Sequence, residues 1–290
     1  MRDTLNGSHG SPSSPRPATG KVSIRNVSKI YDPEGARVVA LDNFSIDFAP
    51  GDFLAIVGPS GCGKSTLLNI LAGFDTLTSG EVYLDDQLLA SPDKPPRPGS
   101  DRVVVFQQGA LFPWKTVLDN VTYGLMKAGT VSRSEAEERG IAMLKASGGL
   151  DRIAKSYPSQ LSSGMQRRVE IIRALINDPK VLLLDEPFRA MDTVNKSTMH
   201  QHLLNIFRAN PKTIMFITHD LEEALYLADR VIVMTTRPGT VKLDIKVDLP
   251  RPRSRDMMAS DTYIALKEQT VMAVREEAQK AFERGEREMA

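Results

Sequence analysis

The feature that most constrains this chain is a glycine-rich segment between an apolar run and a helical run. Phe53–Val57 is a short apolar run typical of a buried strand, and Gly58–Thr66 follows it directly. A helical stretch then begins at Lys64 and stops before Gly73. Glycines let successive backbone N–H groups point into one concavity, and the start of a helix adds positive potential there. The strand, loop and helix together predict a binding site for phosphate.

The residue types in this loop indicate how a nucleotide would be held. Lys64 is expected to reach the β- and γ-phosphates, and the Ser65 hydroxyl to bind Mg²⁺. The simpler alternative is a glycine-rich turn with a solvated lysine. Cys62, the only cysteine, also admits a redox role at a helix start, although no second cysteine is present to resolve it. The predicted nucleotide-binding residues of the loop are Gly58, Pro59, Ser60, Gly61, Cys62, Gly63, Lys64, Ser65 and Thr66.

Two carboxylates follow a second apolar run. Asp185 and Glu186 come directly after Val181–Leu184, and neighbouring residues of a strand point in different directions. Asp185 is therefore predicted to bind Mg²⁺ through water, and Glu186 to face the γ-phosphate and orient or deprotonate the attacking water. Strands often end in acidic residues, so this pattern alone is only moderately specific. The phosphate loop earlier in the chain is what makes a catalytic interpretation the favoured one.

A histidine follows a third run of the same type. Thr213–Ile217 leads into Thr218, His219 and Asp220, as expected where parallel strands of a covered sheet end in polar loops. A lone histidine in such a place more often caps a helix or packs. Together with the two earlier motifs, His219 is predicted to contact the γ-phosphate and to position both the water and Glu186.

The start of the chain is predicted to be disordered and then β-structured. Residues 1–20 are rich in Ser, Gly and Pro, and they bury too little apolar surface to offset the entropy lost on ordering. Val22–Val27 and Val38–Phe48 are predicted strands, with a turn at 31–33 between them.

The middle of the chain is predicted to be a helical insertion at about 109–176. Ser132 and Glu135 fit a capping box that opens a helix, which glycines at 148–149 end. A second helix is predicted from about Met165, with its apolar residues on one face. The tail, 249–290, turns helical from about Asp261 to Arg284, and its role is not readable from the pattern.

Charge and hydropathy exclude several classes of protein. The 37 basic and 36 acidic residues leave a net charge of +1, which creates no field for collecting nucleic acid. The apolar runs fall far short of the roughly 18 to 20 residues that cross a bilayer, and the start lacks the pattern of a secretory signal. A single cysteine rules out intramolecular disulfides and cysteine-cluster metal sites, which fits a reducing cytosol.

A further segment identifies the family that these motifs resemble. Leu161–Gln166 is similar to the signature of the ATP-binding cassette ATPases, usually written Leu-Ser-Gly-Gly-Gln. Ser162 also suits a helix cap, and a capped helix start is itself an anion site. In that family the segment completes the site of the opposite subunit, so the resemblance implies that Ser162, Ser163 and Gly164 contact ATP held by a second subunit.

The resemblance covers residues 21–248 and implies an α/β fold. Expected are a P-loop NTPase with a RecA-like core, an N-terminal antiparallel β subdomain and an inserted α-helical subdomain. Gln107, after the predicted strand Val103–Phe106, matches the glutamine that senses Mg²⁺, and Gln108 is the alternative. Tyr31 matches the aromatic residue that stacks on adenine. The implied catalytic residues are Glu186, His219, Gln107 and Lys64, the implied metal ligands are Ser65, Gln107 and Asp185, and Asp192 matches the loop that crosses the dimer interface.

Departures from the family pattern concern the signature and the interface loop. Ser163 replaces a glycine, and if that position requires a positive φ, serine costs on the order of 1 kcal/mol and slows turnover. Arg189 and Met191 alter the interface loop. Glu170 and Ile171 stand where small residues are common. Lys64, Asp185, Glu186 and His219 are nevertheless all present, which argues against a subunit without catalytic activity.

Four further parts of the chain resemble the importer branch of this family for nitrate, sulfonate and taurine. They are Leu111–Val121, Met165, Leu225–Arg230 and the sequence Arg237-Pro-Gly. This implies ATP and Mg²⁺ as cofactors and a peripheral position at the cytoplasmic face of the cell membrane. The implied partners are an integral-membrane permease, a second ATPase subunit in a homodimer and, indirectly, a solute-binding protein, with no nucleic acid. Trp114 is either an aromatic residue of the insertion core or a contact to the permease.

Two other classes carry parts of the same pattern. Soluble cassette ATPases that act on DNA ends or ribosomes have long heptad arms or a second cassette, and neither is seen in these 290 residues. A P-loop kinase would leave the segment at Ser162 unexplained.

Overall fold

The strands of this protein form two separate sheets. The computed structural model describes residues 19–32, 35–189, 191–209 and 211–284. In chain order the strands and α-helices are β1 (Val22–Tyr31), β2 (Val38–Phe48), β3 (Phe53–Val57), α1 (Lys64–Ala72), β4 (Ser79–Leu84), β5 (Gln87–Ala90), β6 (Arg102–Val105), α2 (Val117–Ala128), α3 (Arg133–Ala146), α4 (Ser163–Leu175), β7 (Val181–Asp185), α5 (Thr193–Ala209), β8 (Thr213–Ile217), α6 (Leu221–Leu227), β9 (Arg230–Met234), β10 (Val241–Lys246) and α7 (Asp261–Glu283).

The first sheet is antiparallel and has the order β2-β1-β4-β5. Its apolar residues pack with one face of the second sheet, where Phe44, Phe48 and Leu54 are fully buried in one shared cluster. Gly20 attaches the start of this region, because its N–H donates to Asp85 at 2.6 Å and its carbonyl accepts from Thr213 Oγ1 at 2.7 Å. The predicted disorder at 1–20 otherwise falls on 1–18, outside the described residues.

The second sheet has the order β10-β9-β3-β8-β7-β6. Its strands β9, β3, β8, β7 and β6 run parallel, and β10 is antiparallel to β9. All five side chains of β3 are buried, as a parallel strand covered on both faces requires. Because β3, β8 and β7 are neighbours, their carboxyl ends bring the loops after Val57, Ile217 and Asp185 together. This is the edge where parallel α/β sheets bind ligands.

Between β6 and β7 the chain forms α2, α3 and α4, which share a core of their own that includes Val121, Leu144 and Ile172. Helix α2 was not predicted; its N-terminus is capped by Thr116, whose hydroxyl accepts from the N–H of Asp119 at 3.1 Å. These three helices fall within the range predicted to be a helical insertion.

Several local predictions need correction. Tyr31, predicted in a turn, is the last residue of β1, because it pairs with Val38 across the sheet; Pro33 of the same predicted turn lies outside the described residues. The strand predicted to end at Phe106 ends at Val105. At the start of α3 the Ser132 hydroxyl accepts from the N–H of Glu135, as predicted, while the Glu135 carboxylate pairs with Arg139.

The C-terminal helix α7 joins the main core rather than standing apart. Tyr263 and Ala273 of α7 are buried in the same cluster as Phe53 and Val231. The helix contacts α6, β9 and β10. Among the described helices, none combines the length and the apolar character needed to cross a bilayer.

Candidate functional site

The candidate site lies at the carboxyl ends of β3, β8 and β7. Sheet hydrogen bonding continues into the loops there, since Thr218 N donates to the Ile56 carbonyl at 3.3 Å and Glu186 N to the Ile217 carbonyl at 2.9 Å. The structure therefore brings together the phosphate loop, the two carboxylates and the histidine loop, which the sequence presents as separate motifs.

The phosphate loop is closed over the Lys64 ammonium. Lys64 Nζ donates to the carbonyl oxygens of Gly58 and Pro59, each at 2.8 Å, and Lys64 is only 8 % exposed. Gly63, just before α1, has a φ of 99°, and a Cβ there would stand 2.7 Å from the Ala40 carbonyl oxygen. A side chain at 63 is thus excluded on both conformational and steric grounds. A solvated lysine in an ordinary turn does not describe this arrangement.

Cys62 is fully buried inside the loop. Burial raises the pKa of its thiol, and the attraction of Lys64, which acts in the opposite direction, does not offset it. A thiol with a raised pKa holds little thiolate at neutral pH, so the redox alternative loses its physical basis.

Asp185, at the end of β7, lies near Ser65 of the first turn of α1. Burial and the neighbouring Glu186 raise the pKa of Asp185, while Lys64 and Ser65 act to lower it. A hydroxyl and a carboxylate are oxygen ligands of the kind that Mg²⁺ prefers, and Mg²⁺ in nucleotide sites needs only one or two protein ligands besides phosphate. The donors present therefore fit this ion.

The backbone conformation of Glu186 differs from that of Asp185, and the sequence did not reveal this. Asp185 is the last residue of β7, whereas Glu186 has a φ of 42° and leaves the strand in the left-handed region. The positive φ of Glu186, and not strand alternation, therefore sets the backbone direction that follows Asp185. Such a conformation costs a non-glycine residue about 1–2 kcal/mol, and strain of this kind is concentrated at functional sites.

The Glu186 carboxylate lies between a histidine and an arginine. His219 Nδ1 is 3.3 Å from Glu186 Oε2, and Arg189 Nη1 is 3.2 Å from the same atom. The Glu186 side chain is 15 % exposed, so it is accessible to water from one side. This geometry suits a carboxylate that has to hold a water molecule.

A buried network missed by the sequence reading supports the loop of His219. The Thr218 hydroxyl donates to Glu223 at 2.7 Å and accepts from the N–H of Asp220 at 3.0 Å. Lys196 of α5 pairs with both Asp220 and Glu223. Burial alone would raise the pKa of Glu223, but nearby His200 and Lys196 and the hydrogen bond from Thr218 outweigh it and lower that pKa. The sequence signals only the helix start within this network, through Asp220 and the two acidic residues in the first turn of α6.

Tyr31 lies beside the start of α1. Its hydroxyl donates to Asp75 Oδ2 at 2.5 Å and is 3.4 Å from the Thr66 hydroxyl. Lys29 Nζ stands 4.8 Å from the ring centroid. Burial and the hydrogen bond to Asp75 raise the pKa of Tyr31. The ring is thereby held next to the end of the phosphate loop.

The backbone of the segment 106–110, which contains Gln107, is hydrogen-bonded to side chains of α4. Arg167 donates to the carbonyl oxygens of Phe106 and Gln107, both at 2.7 Å. Glu170 pairs with Arg167 at 2.6 Å and accepts from the N–H of Ala110 at 2.8 Å. The Gln107 and Gln108 side chains are both exposed, so the choice between them stays a prediction. Glu170, a departure from the family pattern, has a structural role here that the sequence did not reveal.

The signature segment opens α4. Ser162 caps the helix by accepting from the N–H of Met165 at 3.3 Å, as predicted. Ser163 is the first helical residue and has no positive φ, so the expected strain is absent and the reasoning behind a weakened site is wrong. Ser162 and Ser163 are exposed and Gly164 is half-buried, on the helical insertion. Asp192 lies between β7 and α5.

The comparisons with known proteins agree with this geometry. A family model described as ABC transporter matches residues 41–189. An uncharacterized ABC transporter ATP-binding protein of Methanocaldococcus jannaschii is 46 % identical over 81 % of this chain and 85 % of its own length. The aliphatic sulfonates import ATP-binding protein SsuB of Bacillus cereus is 40 % identical over 81 % of this chain and 89 % of its own.

Solved structures show the same fold. The dimeric post-hydrolysis state of the ATP-binding cassette MJ0796, bound to ADP and Pi, has a TM-score of 0.67 at 34 % identity. A second dimeric structure of this cassette has a TM-score of 0.68 at 35 % identity. Each match covers 79 % of this chain and 100 % of the solved one.

Proposed function

The chain belongs to the ABC transporter family of ATP-binding proteins, and from this premise we propose that it hydrolyses ATP to drive solute uptake through a membrane permease. The observation that carries the proposal is the grouping of Lys64, Asp185, Glu186 and His219 around one phosphate loop. A carboxylate for water and a cation for phosphate are the parts that phosphoryl transfer to water requires.

In the proposed reaction Lys64 exchanges the carbonyl oxygens of Gly58 and Pro59 for the β- and γ-phosphates. Glu186 holds the attacking water and accepts its proton, while His219 contacts the γ-phosphate and keeps Glu186 oriented. Ser65 and Asp185 would hold Mg²⁺, which neutralises charge on the β- and γ-phosphate oxygens when bound. Gln107 is the proposed link between this charge and the helical insertion.

The active form is proposed to be a dimer in which each site is completed by the partner. Exposed Ser162 and Ser163 offer hydroxyls and the N–H groups of a helix start, a combination that binds anions. The matched cassette structures are dimeric, which supports this assembly. Asp192 is the proposed interface residue of the loop before α5.

A permease is proposed to dock beside the segment of Gln107. A cleft of about 230 Å³ lies between β6 and the helices α2 and α4. Phe112 contributes to its wall and contacts Trp114, with ring centroids 5.7 Å apart. Trp114 is 71 % exposed, which rules out a place in the insertion core. Exposed aromatic side chains at a cleft are typical of protein contact sites.

The proposed solute is a small anion of the sulfonate, taurine or nitrate type, recognised with the help of a separate solute-binding protein. The similarity to SsuB proteins supports the sulfonate member of this group. The chain would then act at the cytoplasmic face of the cell membrane as a peripheral subunit.

The test is the ATPase activity of the reconstituted complex with its own permease and binding protein across a panel of solutes. Stimulation by a sulfonate, taurine or nitrate is expected. Stimulation by a sugar or peptide and by no anion would contradict the solute class alone. Full activity with no membrane partner in the cell would contradict the importer function as well.

A further inference from the structure

The turn between β9 and β10 packs directly against the phosphate loop. Arg237 Nε donates to the carbonyl oxygen of Gly61 at 3.1 Å. A Cβ on Gly239 would stand 2.1 Å from the carbonyl oxygen of Cys62, so only glycine fits there. The N–H of Gly239 also donates to a carbonyl oxygen of β2 at 3.0 Å. The sequence Arg237-Pro-Gly thus contacts two successive peptide groups of the loop.

These contacts control the direction of peptide groups in the loop. A peptide unit is planar, so a hydrogen bond to the carbonyl oxygen of Gly61 also fixes the direction of the N–H of Cys62, which donates to the Pro59 carbonyl oxygen at 3.3 Å within the loop. A Cβ on Gly61 would come within 2.8 Å of Arg237 Nη2, which places the guanidinium over this peptide. Phosphate-binding loops depend on the direction of successive N–H groups. Arg237 therefore holds the turn at 59–62, from which the following N–H groups of the loop take their direction.

Helix α7 holds the turn from the other side. The buried Glu277 carboxylate accepts from the N–H of Thr236 at 2.9 Å and from Lys242 Nζ at 2.8 Å. Arg284, one residue past the end of α7, donates to the carbonyl oxygen of Arg237 at 2.6 Å. The peptide groups 235–236 and 237–238, which flank Thr236 and Arg237, are thus bonded to Glu277 of α7 and to Arg284 just beyond it. Glu277 is 1 % exposed, so this anchor lies inside the protein.

The geometry points to Arg237 as a positioning residue for the phosphate loop, and to α7 as the element that sets Arg237 through Glu277 and Arg284. The C-terminal helix would then determine how tightly the chain binds ATP. This inference rests on the proposed function, in which the loop binds ATP.

The test is the affinity of the full chain for ATP with Mg²⁺, measured by equilibrium dialysis. Arg237→Ala should raise the Kd about three- to tenfold, because it removes a hydrogen bond from a charged group. Glu277→Gln should raise the Kd less. The matched control is Arg133→Ala, which removes an exposed arginine of α3 that pairs with Glu137 and should leave the Kd unchanged.

Combining the variants separates this inference from a general effect on stability. In the Arg237→Ala background, Glu277→Gln should not raise the Kd further, although it should still lower the melting temperature. If Glu277→Gln does not fold, Arg284→Ala replaces it in the same cycle.

An unchanged Kd in Arg237→Ala would overturn the inference, and so would equal effects of Glu277→Gln in both backgrounds. A wild-type chain that binds no ATP, or a Lys64→Ala chain that binds it with native affinity, would instead overturn the proposed function from which the inference starts.

Discussion

Replacing Glu186 with Gln should slow ATP hydrolysis strongly and preserve ATP binding. Gln has the size of Glu and keeps an acceptor oxygen toward His219, but it cannot take a proton from water. A positioned base contributes about 10²–10⁴-fold to a rate, so the barrier should rise by about 3–5 kcal/mol. With hydrolysis blocked, ATP-bound dimers should accumulate.

The same substitution should scarcely affect folding. The Glu186 carboxylate pairs with His219 and Arg189, whose side chains are 56 % and 52 % exposed. Ion pairs with such exposed partners contribute about 0–1 kcal/mol. The melting temperature should therefore fall by no more than about 4 °C.

The assay is the steady-state ATPase rate of the reconstituted complex, together with the Kd for ATP and the dimer fraction by size-exclusion chromatography. The control is Glu222→Gln, which neutralises a 52 % exposed carboxylate paired with Lys267 in the first turn of α6 and should keep the native rate. A native rate in Glu186→Gln would refute the role as base. A loss of ATP binding would refute the separation of catalysis from binding.

Further predictions concern strain, packing and charge. The free energy of unfolding of Glu186→Gly, measured with urea, should exceed that of Glu186→Ala by about 1–2 kcal/mol, because glycine adopts a positive φ freely. Equal stabilities of the two variants would exclude backbone strain at 186. Ser163→Gly should not raise the melting temperature, since Ser163 is already helical, and a rise would mean that the serine backbone is strained. Glu170→Ala should cost about 3–5 kcal/mol in urea unfolding, because it leaves Arg167 buried without its partner, whereas Glu137→Ala at the exposed pair with Arg133 should cost under about 1 kcal/mol. Burial would raise the pKa of Glu277, but Lys242, Lys280 and the N–H of Thr236 lower it from 4.5 to about 2. The resulting stabilisation, about 2 kcal/mol after allowance for screening, should be present above pH 4.5 and disappear as the pH falls toward about 2. The difference in unfolding free energy between wild type and Glu277→Gln, measured with urea, should therefore shrink to zero over the same pH range.

The sequence was sufficient for features that depend on near neighbours. The phosphate loop, the strands Val38–Phe48 and Phe53–Val57 and the cap at Ser162 are found where they were predicted. Each follows from glycine conformations, apolar runs or a side chain that bonds a backbone group three residues away. The family resemblance added the expectation of a second subunit, and the family itself is confirmed by the comparisons.

Only the tertiary structure decided the features that join distant parts of the chain. Glu186 adopts its left-handed backbone where β7 ends beside β8, and nothing in its neighbouring residue types indicated this. The hydrogen bond between Glu170 and Ala110 joins residues 60 positions apart, and the one between Arg237 and Gly61 joins residues 176 positions apart. The role of the tail was unreadable for the same reason, because the partners of α7 lie on α6, β9 and β10, which the local pattern of the tail does not identify. A hydrogen bond between such segments depends on the packing of whole elements, which local pattern does not encode.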